Sequence, residues 1–273
     1  MNCIICSGKM NFYFIKNFNE STDFDKMFNL GKVEYFKCIN CGFVSSKTHQ
    51  EMDETAWQKL NHDFHTFIEN PRNKKNNNQP PYVQIALLIK VLLQNNIIKK
   101  DILDFGAGMG TLSQILKKYL SIEISIYDDY IQKINKSISY LTKDKLAQVE
   151  FDSVLTSAVF EHITQRNHID RINSLVNKTG TLVIHTLICE NVPSDPSWFY
   201  LLPVHTAFYT NRSMRILMDD WNYKCSIYSI DAKSWVLFKK CNEIEEKIKM
   251  VNQEFQNDYL IFSKGFVDYW KTF

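Results

Sequence analysis

A glycine-rich turn between an apolar run and a helical pattern is the feature that most constrains this chain. Residues 101–110 read DILDFGAGMG, so that three of the chain's eight glycines lie within five residues. The pattern that follows, residues 111–120, is helical. Because glycine lacks a Cβ, such a turn lets the backbone approach a ligand, and the free N–H groups of the next helix face it. We therefore expect a strand–turn–helix unit of an α/β sheet with a ligand at the turn.

The spacing of the glycines indicates which ligand. A dinucleotide fingerprint has its third glycine five positions after the first, whereas Gly110 comes four positions after Gly106. Asp104 precedes the first glycine, and its carboxylate would repel a pyrophosphate but suits a ligand that carries an ammonium group. The run resembles the first motif of class I S-adenosylmethionine (SAM) methyltransferases. The alternative is a tight strand-to-helix turn that binds nothing.

Later segments resemble the same family in the order that it requires. The strand predicted over residues 122–127 ends in Asp128 and Asp129, where an acidic residue would hold the ribose hydroxyls of the cofactor. Asp129 is an alternative cap for the helix predicted over residues 130–142, and a further alternative is that both carboxylates only cap it. The runs at 151–163 and 178–187 resemble the fourth and fifth strands of the family.

The resemblance covers residues 82–240 and implies a Rossmann-like, doubly wound α/β sheet with an antiparallel last pair of strands. It also implies SAM as the cofactor. The cofactor-binding residues that it predicts are Asp104, Phe105, Gly106, Ala107, Gly108, Gly110, Asp128, Asp129, Ser157 and Val159.

A long aromatic loop at residues 190–209 is predicted to bind the acceptor, because long loops in compact domains are usually functional. Its P-x-H-x-x-F-Y-T segment resembles an element of small-molecule methyltransferases. Neutral histidine can accept a proton near pH 7, so His205 is predicted as the general base and His162 as the second candidate. The alternative is that His205 only bonds a backbone carbonyl and holds the loop. The predicted acceptor contacts are Glu161, Trp198, Tyr200 and Tyr209.

Two C-x-x-C pairs near the beginning of the chain predict a metal site. Two such turns at neighbouring hairpin tips can complete a closed, structural Zn²⁺ site. A redox pair or coincidence are the alternatives, but a thioredoxin-type motif needs only one pair. The predicted zinc ligands are Cys3, Cys6, Cys38 and Cys41. The other cysteines, Cys189, Cys225 and Cys241, are predicted to be reduced core residues.

These observations predict four regions: a zinc ribbon (1–47), a helix and linker (48–80), a methyltransferase domain (81–240) and a C-terminal helical extension (241–273). The segment at 79–82, QPPY, lies one residue away from the N/D-P-P-Y signature of amino-methylating enzymes. A simpler interpretation is that its prolines begin a helix.

The composition of the chain limits the class of acceptor molecule that we expect. A formal net charge of +2 over 273 residues is too small for a surface that tracks phosphates, which makes nucleic acid an unlikely partner. No run of about 20 apolar residues or secretory segment is present in the sequence, so we expect a cytoplasmic monomer or homodimer. The resemblance to bacterial sugar methyltransferases predicts O-methylation of a nucleotide-linked or polysaccharide sugar. The alternatives are an RNA methyltransferase that uses the ribbon for recognition and a non-catalytic scaffold.

Overall fold

The computed structural model describes residues 1–69, 80–131 and 140–268, and the chain divides into two compact units. Unit 1 is made of residues 1–78, 160–169 and 187–217, and unit 2 of residues 79–159, 170–186 and 218–273. Most of the predicted linker at 70–80 and of the predicted helix at 130–142 lies outside the described residues. No helix of the described ranges is long and apolar enough to cross a membrane.

Unit 1 is built on a five-stranded sheet in the order β1-β2-β3-β9-β8. Its strands are β1 (Met10–Asn17), β2 (Lys32–Cys38), β3 (Val44–Ser46), β8 (Ile188–Cys189) and β9 (Ala207–Thr210). Its helices are α1 (Asp23–Lys26), α2 (Lys47–Gln50) and α3 (Glu54–Glu69), with 3-10 turns at Phe18–Glu20 and Phe160–His162. The helices α7 (Arg166–Ser174) and α8 (Asn211–Asp220) begin in its segments.

The strands predicted for the ribbon form and pair antiparallel as β1 and β2, and stacked rings of Phe14 and Tyr35, 4.7 Å apart, contribute to their core. The ribbon, however, does not end at residue 47. Its third strand pairs with β9, so that Val44 is opposite Phe208. The loop predicted to bind the acceptor therefore supplies β9 to the ribbon's own sheet, and β8 directly precedes that loop.

Unit 2 contains a seven-stranded sheet in the order β12-β10-β11-β7-β6-β4-β5. The strands are β4 (Ile102–Phe105), β5 (Ser125–Tyr127), β6 (Phe151–Ser157), β7 (Val176–His185), β10 (Cys225–Ser229), β11 (Ser234–Phe238) and β12 (Leu260–Lys264). Its helices are α4 (Tyr82–Gln94), α5 (Thr111–Leu120), α6 (Lys143–Leu146) and α9 (Ile244–Phe255). Strands β5, β4, β6 and β7 are parallel, whereas β11, β10 and β12 are antiparallel.

This arrangement confirms the predicted Rossmann-like sheet with an antiparallel last pair. The helix α4 is apolar around most of its circumference, and Ile85, Leu88 and Leu92 are buried in the core of unit 2. Apolar residues of α5 and α9 join the same core. Helical periodicity of apolar residues is what allows each of these segments to cover a sheet face.

Two predictions about the end of the chain are wrong. The segment after residue 241 is not wholly helical, because β12 follows α9 and pairs with β10 along Leu260–Lys264. Cys225 and Cys241 are not reduced, because they form a disulfide with their Cα atoms 6.0 Å apart. Spacing along the sequence could not reveal this pair, since it is the β10–β11 hairpin that brings the two residues together.

Candidate functional site

The glycine-rich turn has the backbone that its sequence predicts. Gly106, Gly108 and Gly110 have φ values of +74°, +53° and +70°, in the left-handed region that disfavours side chains. The N–H groups of Gly106 and Ala107 donate to the carbonyl of Tyr127, at 2.8 and 3.0 Å, and so tie the turn to the end of β5. Helix α5 begins directly after Gly110, so its first N–H groups point into the turn.

Asp104 lies on β4 with 2% of its surface exposed. Its Oδ1 has no hydrogen-bond partner among the residues that the structure describes. Burial, and then the charge of Asp128, raise the pKa of this carboxyl to about 7. A buried carboxylate without a donor is costly unless a cation or a hydrogen-bond donor meets it. Asp104 therefore suits the ammonium group of a ligand better than any neutral group.

Asp128 and Asp129 accept hydrogen bonds from different partners. Asp128 accepts from Gly108 N–H through Oδ2 (2.9 Å) and from Tyr130 and Ile131 N–H through Oδ1 (both 2.8 Å). Asp128 is thus the residue that holds the backbone after β5 at Tyr130 and Ile131. One lone pair of Oδ2 is left for a ligand hydroxyl, because each carboxylate oxygen can accept two hydrogen bonds.

Asp129 pairs instead with a cation that the sequence analysis missed. Arg171 of α7 donates to both of its oxygens, at 3.0 and 3.2 Å, and Tyr127 O–H donates to Oδ1 at 2.5 Å. The guanidinium also lies 5.4 Å from the centre of the Phe105 ring. In the sequence, Arg171 is one polar residue between the apolar positions of α7. This pattern predicts a helix but does not identify the partner of the arginine.

The exit from β6 completes the site of unit 2. Ser157 is buried and its Oγ has no hydrogen-bond partner within the described ranges. Ala158 has a φ of +55°, an unfavourable value for a residue with a side chain, and its N–H donates to His185 O. Val159 covers the first glycine, since a Cβ built on Gly106 would lie 2.5 Å from its Cγ2.

Replacing Gly106 by alanine should destabilise the protein by about 2–4 kcal/mol, of which roughly 1 kcal/mol is the cost of a positive φ and the rest the overlap with Val159. Gly265→Ala is the matched control, because Gly265 has a φ of +87° and nothing within 4 Å of an added Cβ. Chemical denaturation of both variants would measure the difference. Equal losses of stability would show that the contact with Val159 has no consequence.

In unit 1, Glu161, Tyr200 and His205 form a hydrogen-bonded network. Glu161 is 2% exposed, and its Oε1 accepts from Tyr200 O–H at 2.7 Å. His205 Nδ1 lies 2.8 Å from the carbonyl of Tyr200, so Nδ1 carries the proton and Nε2 presents a lone pair. The carbonyl bond considered as the alternative role of His205 is therefore present. This hydrogen bond also fixes the orientation of Nε2, whose lone pair can accept a hydrogen bond from a ligand.

Two more imidazoles lie beside this network. The ring of His162 is 5.2 Å from the ring of His205 and 5.2 Å from that of His65 on α3. Burial lowers the pKa of His205 to about 3 and that of His65 to about 4, and it lowers the pKa of His162 well below its usual range. We call His65, Glu161, His162 and His205 the imidazole cluster. Its three histidines are neutral at physiological pH.

The other predicted acceptor contacts differ in exposure. Trp198 is half-buried and packs its ring 5.3 Å from that of Phe208, while the adjacent Phe199 is 74% exposed. Tyr209 is fully buried, and its hydroxyl donates to the carbonyl of Phe160. Tyr209 thus supports the 3-10 turn that carries Glu161 and His162, and its contact with an acceptor stays a prediction.

The four predicted zinc ligands come together in unit 1. Their Sγ atoms all lie within 4.8 Å of one another, with Cys3–Cys41 at 3.6 Å and Cys6–Cys38 at 3.5 Å. Thiolates at about 2.3 Å from one Zn²⁺ in a tetrahedron are about 3.8 Å apart, so the arrangement fits a closed zinc site. A Cβ on Gly8 would lie 3.2 Å from the Sγ of Cys38, which indicates how tightly the turn encloses the sulfurs.

Comparison with known proteins identifies a family and several similar solved structures. The family model described as a methyltransferase domain matches residues 77–226. No curated protein matches this chain. Similar solved structures include an O-methyltransferase family protein from Burkholderia thailandensis, at 15% identity and a TM-score of 0.44 over 67% of this chain and 59% of that chain. This chain thus spans 59% of the length of that relative.

Two other solved structures are similar over most of their own length. A SAM-dependent methyltransferase from Archaeoglobus fulgidus is 19% identical, with a TM-score of 0.38 over 66% of this chain and 94% of that chain. The 1,6-didemethyltoxoflavin N1-methyltransferase of Burkholderia thailandensis, with bound S-adenosylhomocysteine, is 14% identical, with a TM-score of 0.45 over 73% of this chain and 95% of that chain.

Proposed function

Since this chain belongs to the methyltransferase-domain family and is a SAM-dependent methyltransferase, we propose that it methylates a hydroxyl group of a sugar. The acceptor would be nucleotide-linked or a precursor of a surface polysaccharide. In the reaction, the hydroxyl oxygen attacks the methyl carbon of SAM as the bond from that carbon to sulfur breaks. The products are the methyl ether, S-adenosylhomocysteine and a proton.

The residues of unit 2 support the cofactor half of this proposal. Asp104 offers a buried carboxylate for the ammonium group of SAM, and Asp128 offers a free lone pair on Oδ2 for a ribose hydroxyl. Gly108 and Gly110 leave the backbone bare, and the buried Oγ of Ser157 is a further polar group that lacks a partner in the described part of the chain. These groups match the donors and acceptors of a charged nucleoside.

The network of Glu161, Tyr200 and His205 carries the acceptor half. It offers lone pairs in a buried setting and no charged donor among its three members, and a hydroxyl group can donate a hydrogen bond to such a network. We propose His205 as the group that receives the hydrogen bond of the hydroxyl, with His162 as the second candidate. Aligning oxygen, methyl carbon and sulfur would contribute much of the rate.

The aromatic loop supports a sugar as the acceptor. Trp198 and the exposed Phe199 present flat apolar faces, which can pack against the C–H surface of a pyranose. Bound Zn²⁺ at Cys3, Cys6, Cys38 and Cys41 is proposed as a structural ion, because four thiolates leave no position open for water.

Methyl transfer from isotopically labelled SAM to a panel of nucleotide sugars and to total RNA tests this function. We expect label on a nucleotide sugar, in a product whose fragmentation places the methyl group on oxygen. Gly106→Val should abolish both transfer and S-adenosylhomocysteine binding. Label found only in RNA would favour the RNA alternative, a methyl group on nitrogen would exclude O-methylation, and cofactor binding without transfer to any acceptor would favour the scaffold.

A further inference from the structure

Three ligand atoms of the imidazole cluster converge in unit 1, one each from Glu161, His162 and His205, all within 4.8 Å of one another. We propose that these three residues bind a divalent transition-metal ion, distinct from the cysteine site, and that this ion holds the acceptor hydroxyl. The second part rests on the proposed O-methylation. Two imidazoles and one carboxylate form a ligand set that transition metals favour, with positions open for water or substrate.

The orientation of both imidazoles supports a metal. A histidine that binds a metal usually donates its other N–H to a carbonyl or carboxylate, which fixes the tautomer. His205 donates through Nδ1 to Tyr200 O at 2.8 Å. The ring of His162 is hydrogen-bonded by the backbone of Val204, while its Nδ1 is buried and has no hydrogen-bond partner among the described residues. Each ring therefore presents a basic nitrogen to the cluster.

The carboxylate of Glu161 has the corresponding support. Its Oε1 accepts from Tyr200 O–H at 2.7 Å, and the same hydroxyl accepts from Leu187 N–H at 3.1 Å. The main chain around it is fixed as well, because Thr206 N–H donates to Glu161 O at 2.7 Å. Ligating carboxylates are commonly held by such outer hydrogen bonds. Tyr200 thus orients both Glu161, through its hydroxyl, and His205, through its carbonyl.

The separations are compatible with one ion after small side-chain shifts. Ligand atoms at about 2.0–2.2 Å from a metal lie roughly 3–4 Å apart, and the atoms here lie within 4.8 Å. His65, whose ring centre is 5.2 Å from that of His162, is the nearest further imidazole and could become a fourth ligand. The exposed His62 on the same helix is bonded to Asp63 and does not belong to the cluster.

A bound cation would change how the acceptor hydroxyl loses its proton. A hydroxyl coordinated to a divalent ion loses its proton more readily than a free one, as metal-bound water does. The proton passes to a water molecule, the oxygen attacks the methyl carbon, and the electron pair of the broken S–C bond stays on sulfur. With the ion bound, Nε2 of His205 binds the metal, and the ion, in place of that nitrogen, holds the acceptor hydroxyl. None of the histidines then has to be a strong base.

Metal analysis of the full-length chain tests the site without any acceptor. After loading with Co²⁺ and removal of free metal, we expect about two ions per chain, one with the intense absorption of thiolate ligands and one with the weak bands of nitrogen and oxygen ligands. Glu161→Gln, His162→Asn and His205→Asn should each weaken the second ion at least tenfold. His62→Asn is the matched control and should retain both ions.

Three measurements separate the possible failures. If wild-type protein binds Co²⁺ only through thiolates, the metal proposal is overturned. If the cluster binds metal but no hydroxyl acceptor is methylated, the proposed function fails while the site stands. If chelated protein that has lost the second ion methylates a sugar at the full rate, the role of the ion in catalysis is wrong. Retained thiolate–Co²⁺ absorption in the variants shows that unit 1, which contains both the cysteines and the cluster, is folded.

Discussion

Replacing Asp104 by asparagine should weaken the binding of S-adenosylhomocysteine by about two to three orders of magnitude, as truncation of one partner in a buried charge pair typically does. The carboxylate is 2% exposed, and the proposed ammonium of the ligand would be its counter-charge. Calorimetric titration measures the change. Asp231→Asn, an exposed carboxylate of the same unit, should leave the affinity within error. Equal affinity of the Asp104 variant would contradict the proposed role.

The same substitution should stabilise the ligand-free protein. Folding raises the pKa of Asp104 from 3.8 to about 7, so its contribution to stability is fully present below about pH 4 and is lost as pH rises through 7. Ionisation of this one buried group costs on the order of a few kcal/mol. We expect the free energy of unfolding of the wild type to fall between pH 5 and 8 by more than that of the variant, measured by urea denaturation. If the free energy of unfolding changed with pH in the same way in both proteins, this interpretation would be wrong.

Loss of one cysteine of the proposed zinc site should have the largest structural effect. Cys41→Ser should remove the metal bound by thiolates and unfold the ribbon, because a structural Zn²⁺ contributes about 10–16 kcal/mol in isolated fingers, as much as the whole stability of a domain. The carbonyl of Cys41 also accepts from Thr210 Oγ1 at 2.5 Å. The disturbance should therefore reach β9.

Zinc content and near-ultraviolet circular dichroism would measure the effect of Cys41→Ser. Cys189→Ser is the matched control, since Cys189 is a buried free cysteine outside the cluster. It should cost about 1–2 kcal/mol and no zinc. Metal-free wild-type protein with an intact aromatic signal would show that the four cysteines pack without an ion.

The local sequence pattern was enough to predict those parts of the fold that depend on residues close together in the sequence. An apolar run, three glycines and a helical period predicted β4, the turn and α5, because each depends on residues within a few positions. Asp128 was placed at the end of β5 for the same reason. The antiparallel last pair was also predicted, as β10 and β11 alternate around a short turn.

Pairing between distant segments was not predictable in this way. Nothing in the sequence of β9 indicates that Phe208 lies opposite Val44 of the ribbon. The recurrence of charged residues in α9 predicts a helical tail, yet the short strand β12 follows α9 and pairs with β10. His65 lies far from His162 in the sequence, and only folding brings its ring to 5.2 Å from that of His162.

The three-part assembly of unit 1 has a consequence for how this chain could be divided or recombined. Because β3 pairs with β9 and Thr210 bonds Cys41, the ribbon is not an exchangeable module. A protein cut in the linker and begun at residue 80 would leave one edge of β9 without its neighbour, and such bare edges promote aggregation. A chimera in which another protein's ribbon replaces this one must therefore also replace residues 160–169 and 187–217 by the matching segments of that protein.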